Sequence, residues 1–157
     1  MHKERTMKRL LQYSAFLAFI LLSSLVLSTT ASAQQADKVR DGVFLHISHG
    51  ADAPHRLLMA LKMAVTMAEG DRDVLVYCDI EAVKVLTKDA EAVTFEPFPS
   101  SVELLSRLAE LKVKVLACPT CMKVAHVEAS ALRAGVQVAQ RDLFFSFTKG
   151  RILSLDY

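Results

Sequence analysis

Cysteine is scarce in this chain: its 157 residues carry only Cys78, Cys118 and Cys121. An odd number cannot pair completely within one molecule, so a disulfide-stapled scaffold is excluded. Histidine does not follow Cys121, which removes c-type haem attachment. There is no Walker A segment, no Gly-x-Gly-x-x-Gly and no Ser-His-Asp order, so nucleotide hydrolysis, dinucleotide binding and serine-hydrolase chemistry have no motif to stand on. No cofactor is expected on these grounds. Charges of both signs alternate without forming a basic stripe, which excludes nucleic acid as a partner. Internal repeats and low-complexity segments are absent. The uncharged run Ala15–Leu27 is shorter than the roughly 20 apolar residues a membrane span requires.

What that run does fit is export. Lys3, Arg5, Lys8 and Arg9 precede it against a single Glu4, and Ala31-Ser32-Ala33 follows it. A positive start, a short apolar core and an A-x-A site predict a secretory signal peptide over 1–33, cut after Ala33, and a periplasmic or secreted product with no membrane partner once cleaved. Removing 1–33 leaves 15 basic against 16 acidic residues, a net charge of −1. The remaining 124 residues suit one domain with one core, residues 42–157, behind a flexible polar leader over 34–41.

Within that domain, strand-like and helix-like patterns alternate. Gly42–Ser48 reads as a buried strand, and His49–Pro54 as a loop. His55–Glu69 carries a helical stripe of Leu57, Leu58, Leu61, Ala64, Val65 and Ala68, ended by Gly70. Met59, Met63 and Met67 recur on that helix and read as core or interface packing. Asp73–Cys78 is a second strand, followed by a helical stretch from Asp79 through Leu86. Ser100 or Ser101 caps a helix through Leu111, with Glu103 placed for a capping box. Val113–Ala117 is a third strand, Pro119–Ala134 a helix closed by Gly135, Val136–Ala139 a short fourth strand, and Ile152–Leu155 a last one. Arg141–Lys149 is ambiguous, with Phe144, Phe145 and Phe147 expected to pack inward. The alternation implies an α/β fold, a mostly parallel sheet with helices on both faces.

The chemistry is expected where the third strand stops. Cys118-Pro119-Thr120-Cys121 puts a thiol at a helix N-cap, proline at N1 and the second thiol at N3. Backbone N–H groups at a helix start stabilise a thiolate, which makes Cys118 the nucleophile and Cys121 its resolving partner. An inert Cys118–Cys121 disulfide is the plain alternative, but so short a loop gains little from closure. In open parallel sheets, ligands collect beyond the carboxyl ends of the strands. That rule brings His46 and His49 from the first strand and Cys78 from the second to the same rim. His49 and Cys78 are candidate assisting residues, with His49 able to move a proton. His46 reads first as a hydrogen-bonded strand histidine, and Cys78 as a small buried hydrophobe. Two other classes stay open. One is a zinc or copper site from Cys118, Cys121 and His126, completed by Cys78 or His49, although a second close ligand pair is missing. The other is a non-catalytic assembly protein that buries its methionine and phenylalanine faces in an oligomer.

The segments DAPHRLLMALKMAVTMAEG, DVLVYCDIEAVKVL, VELLSRLAELKVKVLACPTCMK and GRILSLDY together resemble the DsrE/DsrF-like sulfur-relay family. The resemblance implies a three-layer α/β/α fold with a five-stranded parallel sheet, and assembly as a homo-oligomer, a trimer or hexamer. It places a sulfur-carrying cysteine at Cys118 and a second family cysteine at Cys121. It also implies a sulfurtransferase-like persulfide carrier more than a turnover enzyme, with a protein or small thiol as sulfur donor and acceptor.

Overall fold

A computed structural model describes residues 39–157; the signal peptide expected over 1–33 lies outside the described residues, as does the start of the leader. Strands β1 (Gly42–Ile47), β2 (Asp73–Cys78), β3 (Lys114–Ala117), β4 (Val136–Val138) and β5 (Ile152–Asp156) form one sheet in the order β4-β3-β2-β1-β5. Every pairing is parallel. Helices α1 (Pro54–Glu69), α2 (Ser101–Glu110), α3 (Pro119–Val124) and α4 (Arg141–Phe145) lie between the strands, with 3-10 turns at Ile80–Leu86 and Ala129–Ala131. Among the described residues no helix is long and apolar enough to cross a membrane.

Successive strand residues point to opposite faces, and the burial follows that alternation. Val43, Leu45, Ile47, Val74, Val76, Cys78, Val115 and Ala117 meet Leu57, Leu58, Leu61, Leu104, Leu105 and Leu108 of α1 and α2 in one core. Each leucine buried there contributes about 1.5–3 kcal/mol relative to exposure. The opposite face presents Phe44, His46, Leu75, Tyr77 and Leu116 in matching register. Its cover is thin: Phe144 of α4 stands edge-on to Phe44 at 6.2 Å and to Tyr77 at 5.1 Å. Phe145 does not pack inward as expected from the sequence; it is 80% exposed.

The helix starts match the sequence reading closely. Ser100 and Glu103 form the reciprocal capping box, and Glu103 holds its carboxyl below the usual range through its bonds to the Ser100 side chain and backbone. The ends match it in α1, whose C-cap is the expected Gly70, and in α2, whose C-cap is Leu111, but α3 stops at Val124, well short of Ala134. Each of α1, α2 and α3 closes in a Schellman motif whose left-handed residue is not glycine: Asp71 at φ 60°, Lys112 at φ 58° and His126 at φ 55°. The bonds are Arg72 N–H to Met67 and Asp71 N–H to Ala68, Val113 N–H to Leu108 and Lys112 N–H to Ala109, then Val127 N–H to Met122 and His126 N–H to Lys123. Since an L-residue pays a steric penalty there, Lys112→Gly is expected to raise unfolding stability by about 0.5–1 kcal/mol, read as a higher urea midpoint with an unchanged slope.

The third motif corrects the helix expected over Pro119–Ala134. Residues beyond Val124 are drawn out instead toward the segment after β2. Lys88 N–H bonds Ala131, Arg133 N–H bonds Leu86, and Thr87 bridges Leu132. Gly135 does take positive φ (85°), but in the turn before β4, where a Cβ would stand 2.8 Å from that of Ala109. The end of the expected leader is also tied down: Arg40 pairs with Asp73 at 2.7 Å and Asp41 with Arg151 at 2.6 Å.

Candidate active site

Parallel-ladder bonds continue past the strand ends and set the rim. Asp79 N–H bonds Ile47 at 3.1 Å, Cys118 N–H bonds Cys78 at 2.9 Å, and Tyr157 N–H bonds His46 at 2.9 Å. The loop after β1 rests directly on the turn after β2. Gly50 permits this, because a Cβ there would meet the Glu81 carbonyl oxygen at 2.7 Å.

Cys118 is the N-cap of α3, with Pro119 at N1, and its Sγ accepts the Cys121 backbone N–H at 3.4 Å. Alternation from Leu116 turns its thiol to the side where Tyr77 stands, within reach of the tyrosine hydroxyl. Partial burial pushes the Cys118 thiol up. Hydrogen bonds from the Tyr77 hydroxyl, the Cys121 backbone and thiol and the Thr120 backbone outweigh it, and the net effect holds Cys118 below the ordinary thiol value. Cys121 goes the other way. Burial raises it, the Ile80 N–H counters, and its bond to Cys118 with the charges of Cys118 and Asp79 add to the rise. The pair is therefore divided into a thiolate-prone sulfur and a proton-holding one.

Ile80, whose N–H faces Cys121, carries φ 45°, an uncommon conformation for a β-branched residue and one that costs roughly 1–3 kcal/mol. Its side chain is exposed, as is that of Val124 at the other end of α3. Tyr77 is held by stacking on His46 at 5.6 Å and by the edge of Phe144. Burial first, then the neighbouring sulfur and Asp79, keep its hydroxyl protonated well above the usual range, so it donates to Cys118.

Behind the thiols, His46 Nε2 bonds Asp79 Oδ2 at 2.9 Å and Nδ1 bonds Asp156 Oδ1 at 3.1 Å. Burial alone would lower its pKa, but the two carboxylates raise it above the ordinary histidine value. His46 thus belongs to the site side of the sheet, as do Tyr77 and Asp79, which the sequence reading had not singled out. Their spacing of two residues in Tyr77-Cys78-Asp79 was the available signal.

Of the other candidates, Cys78 and His126 stand apart, while His49 lines one hollow with His46, Ser48 and Asp156. Cys78 points into the opposite core, is 1% exposed, and burial pushes its thiol up to about 12. His49 is engaged locally: Nδ1 donates to Asp52 at 2.7 Å, which leaves Nε2 to accept from Arg56 at 2.9 Å. Among the described residues no three His, Cys, Asp or Glu side chains are grouped to hold a metal ion, and Cys118, Cys121 and His126 are not gathered into such a set. His126 lies instead beside Lys123 and Glu128 beyond the end of α3.

The comparisons bear on fold and family. The ychN protein from E. coli matches with a TM-score of 0.60 at 17% identity, over 73% of this chain and 99% of that one. The protein of unknown function MTH1491 from Methanobacterium thermoautotrophicum matches at 0.52 and 18% identity, over 73% and 98%. Both likenesses are ones of fold. No curated protein matches the chain. The profile of the DsrE/DsrF-like family covers residues 41–146, which takes in the first four strands, the whole site except Asp156, and the paired cysteines. On that match and this parallel five-stranded fold, the chain belongs to the DsrE/DsrF-like family.

Proposed function

We propose that this protein handles sulfur at Cys118, as a persulfide carrier whose adduct Cys121 resolves. The observation that carries the reading is the Cys118 sulfur itself, held at a helix start by the Cys121 N–H and lowered in pKa with help from Tyr77. The family's general link to sulfur relay supports it. The Cys118 thiolate attacks the outer sulfur of a donor persulfide. A new S–S bond forms on Cys118, the donor's S–S bond breaks, and the donor leaves as a thiolate. An acceptor thiolate then takes the same sulfur and restores Cys118. The exposed Ile80, whose N–H faces Cys121, suits the approach of a donor or acceptor protein. The positive start, apolar run and A-x-A site of 1–33 support an exported location.

The test is polysulfide treatment of the purified protein followed by peptide mass spectrometry. One added sulfur on Cys118 is expected when Cys121 is replaced by serine, and either that sulfur or a Cys118–Cys121 disulfide in the parent protein; a Cys118 that stays a free thiol in both would overturn the reading.

Assembly with further copies is part of the same proposal. Phe44, Phe144, Phe145, Phe147, Ile152 and Arg141 line an open, nearly all-apolar hollow of about 500 Å³ on the thinly covered face. Phe145 and Ile152 are each more than half exposed there, next to β5, whose outer edge pairs with no strand among the described residues. Such a patch beside an unpaired edge strand calls for burial. Light scattering after size exclusion is expected to show an oligomer that Phe145→Asp reduces to a monomer. A monomeric parent protein would count against it.

A further inference from the structure

Resolution by Cys121 requires its thiol to lose a proton, and the rim holds a carboxylate suited to take it. We propose that Asp79 is the proton acceptor for the Cys121 thiol when that thiol resolves an adduct on Cys118, and that His46 and Asp156 pass the proton on to solvent. The proposal rests on the assignment of Cys118 as the adduct-bearing sulfur.

The two oxygens of Asp79 are in unlike situations. Oδ2 is bonded to His46 Nε2 at 2.9 Å, whereas Oδ1 is buried and has no hydrogen-bond partner among the described residues. A buried acceptor left open is costly and calls for an explanation. Asp79 is also on the correct side of the sheet: its neighbour Ile80 turns its N–H to the Cys121 sulfur, and the Asp79 charge acts on Cys121. The strained backbone at Ile80 maintains that juxtaposition. Asp79 bonds His46, which Ser48 also bonds through the same Nε2, and its charge acts on Tyr77 and Cys78 of β2 and on Cys121 of α3. Tyr77 and Cys78 stay protonated, so neither competes for the role.

His46 then joins the inside to the outside. Nε2 holds the inner carboxylate and Nδ1 the outer one, Asp156, whose side chain is 72% exposed. An imidazole with a carboxylate on each nitrogen can take a proton at one side and release it at the other. In the step itself Cys118 carries an –S–SH group. The Cys121 S–H proton goes to Asp79, and the new thiolate attacks the Cys118 sulfur. A Cys118–Cys121 bond forms, the bond to the outer sulfur breaks, and that sulfur leaves with the electron pair as hydrosulfide. The outer sulfur is reduced and the two cysteines are oxidised to a disulfide, so no further oxidant enters.

The experiment loads the full chain with polysulfide, removes the excess, and follows hydrosulfide release and disulfide formation in a single turnover across pH. Release per loaded Cys118 is expected to slow about a hundredfold in Asp79→Asn at neutral pH, with the gap closing as alkali ionises Cys121 directly. His46→Gln should show a smaller loss of the same shape. Slowing of equal size at every pH would mean that Asp79 only supports the structure, and would overturn the proposal. A second arm attaches an aromatic thiol to Cys118 through an aromatic disulfide reagent and reads the coloured thiolate that Cys121 releases. That arm needs no sulfane sulfur: a protein that refuses polysulfide but shows the Asp79→Asn pH signature here fails the carrier reading and keeps the proton route. Release in Asp79→Asn that matches the parent protein at neutral pH in both arms ends it.

Discussion

Cys118→Ser is expected to take up no sulfur from polysulfide, because a serine hydroxyl does not ionise near neutrality and cannot displace a sulfur leaving group. Cys121→Ser should still accept sulfur on Cys118 and then retain it, since the resolving thiol is gone. Cys78→Ala should load like the parent protein: the Cys78 thiol is buried against the opposite helices and held protonated. The three variants read out as loss, trapping and no change, a pattern that an inert Cys118–Cys121 staple would not produce. The measurement is intact and peptide mass spectrometry on matched samples. Loading that survives in Cys118→Ser would remove this cysteine from the mechanism.

Tyr77→Phe is the second large effect. The lost hydroxyl is a donor to a charged sulfur, an interaction worth about 1.5–3 kcal/mol in general, and one pH unit corresponds to about 1.36 kcal/mol. The direction follows from which form the bond favours. Tyr77 stabilises the anion, so removing it raises the pH at which Cys118 ionises, and below that pH the thiol is protonated and slow. Alkylation of Cys118 at neutral pH should fall about tenfold, with the midpoint of its pH profile moved up. The ring itself is retained, so stacking on His46 and the contact with Phe144 persist and the fold is undisturbed. An unmoved midpoint would show that the backbone donors of α3 activate Cys118 without Tyr77.

Much of this site could be read from local sequence. The run Val113–Ala117 followed by Cys-Pro-Thr-Cys specifies strand, N-cap, N1 and N3, because each is a property of neighbouring residues. Ser100 with Glu103 is local in the same way, and both appear as expected. The helix through Ala134 failed for the opposite reason. Nothing in residues 125–134 forbids a helix, but hydrogen bonds to Leu86, Thr87 and Lys88, distant in the chain, outweigh that propensity. His126 in the left-handed region gives no glycine signal to mark the break.

The amino-acid sequence by itself determined the alternation of strands and helices, the parallel sheet that follows from it, and the placing of Cys118 and Cys121 at one helix start. Only the tertiary structure decided which rim residues share a face with them. Grouping by strand ends put Cys78 and His49 beside the thiols. The register of β1 on β2 and of β2 on β3 instead turns Cys78 into the core and brings Tyr77, Asp79 and His46 to the sulfur side. The reason is the pleat: one residue of offset reverses the direction of a strand side chain, and which of the two faces is packed is settled by helices that arrive from elsewhere in the chain.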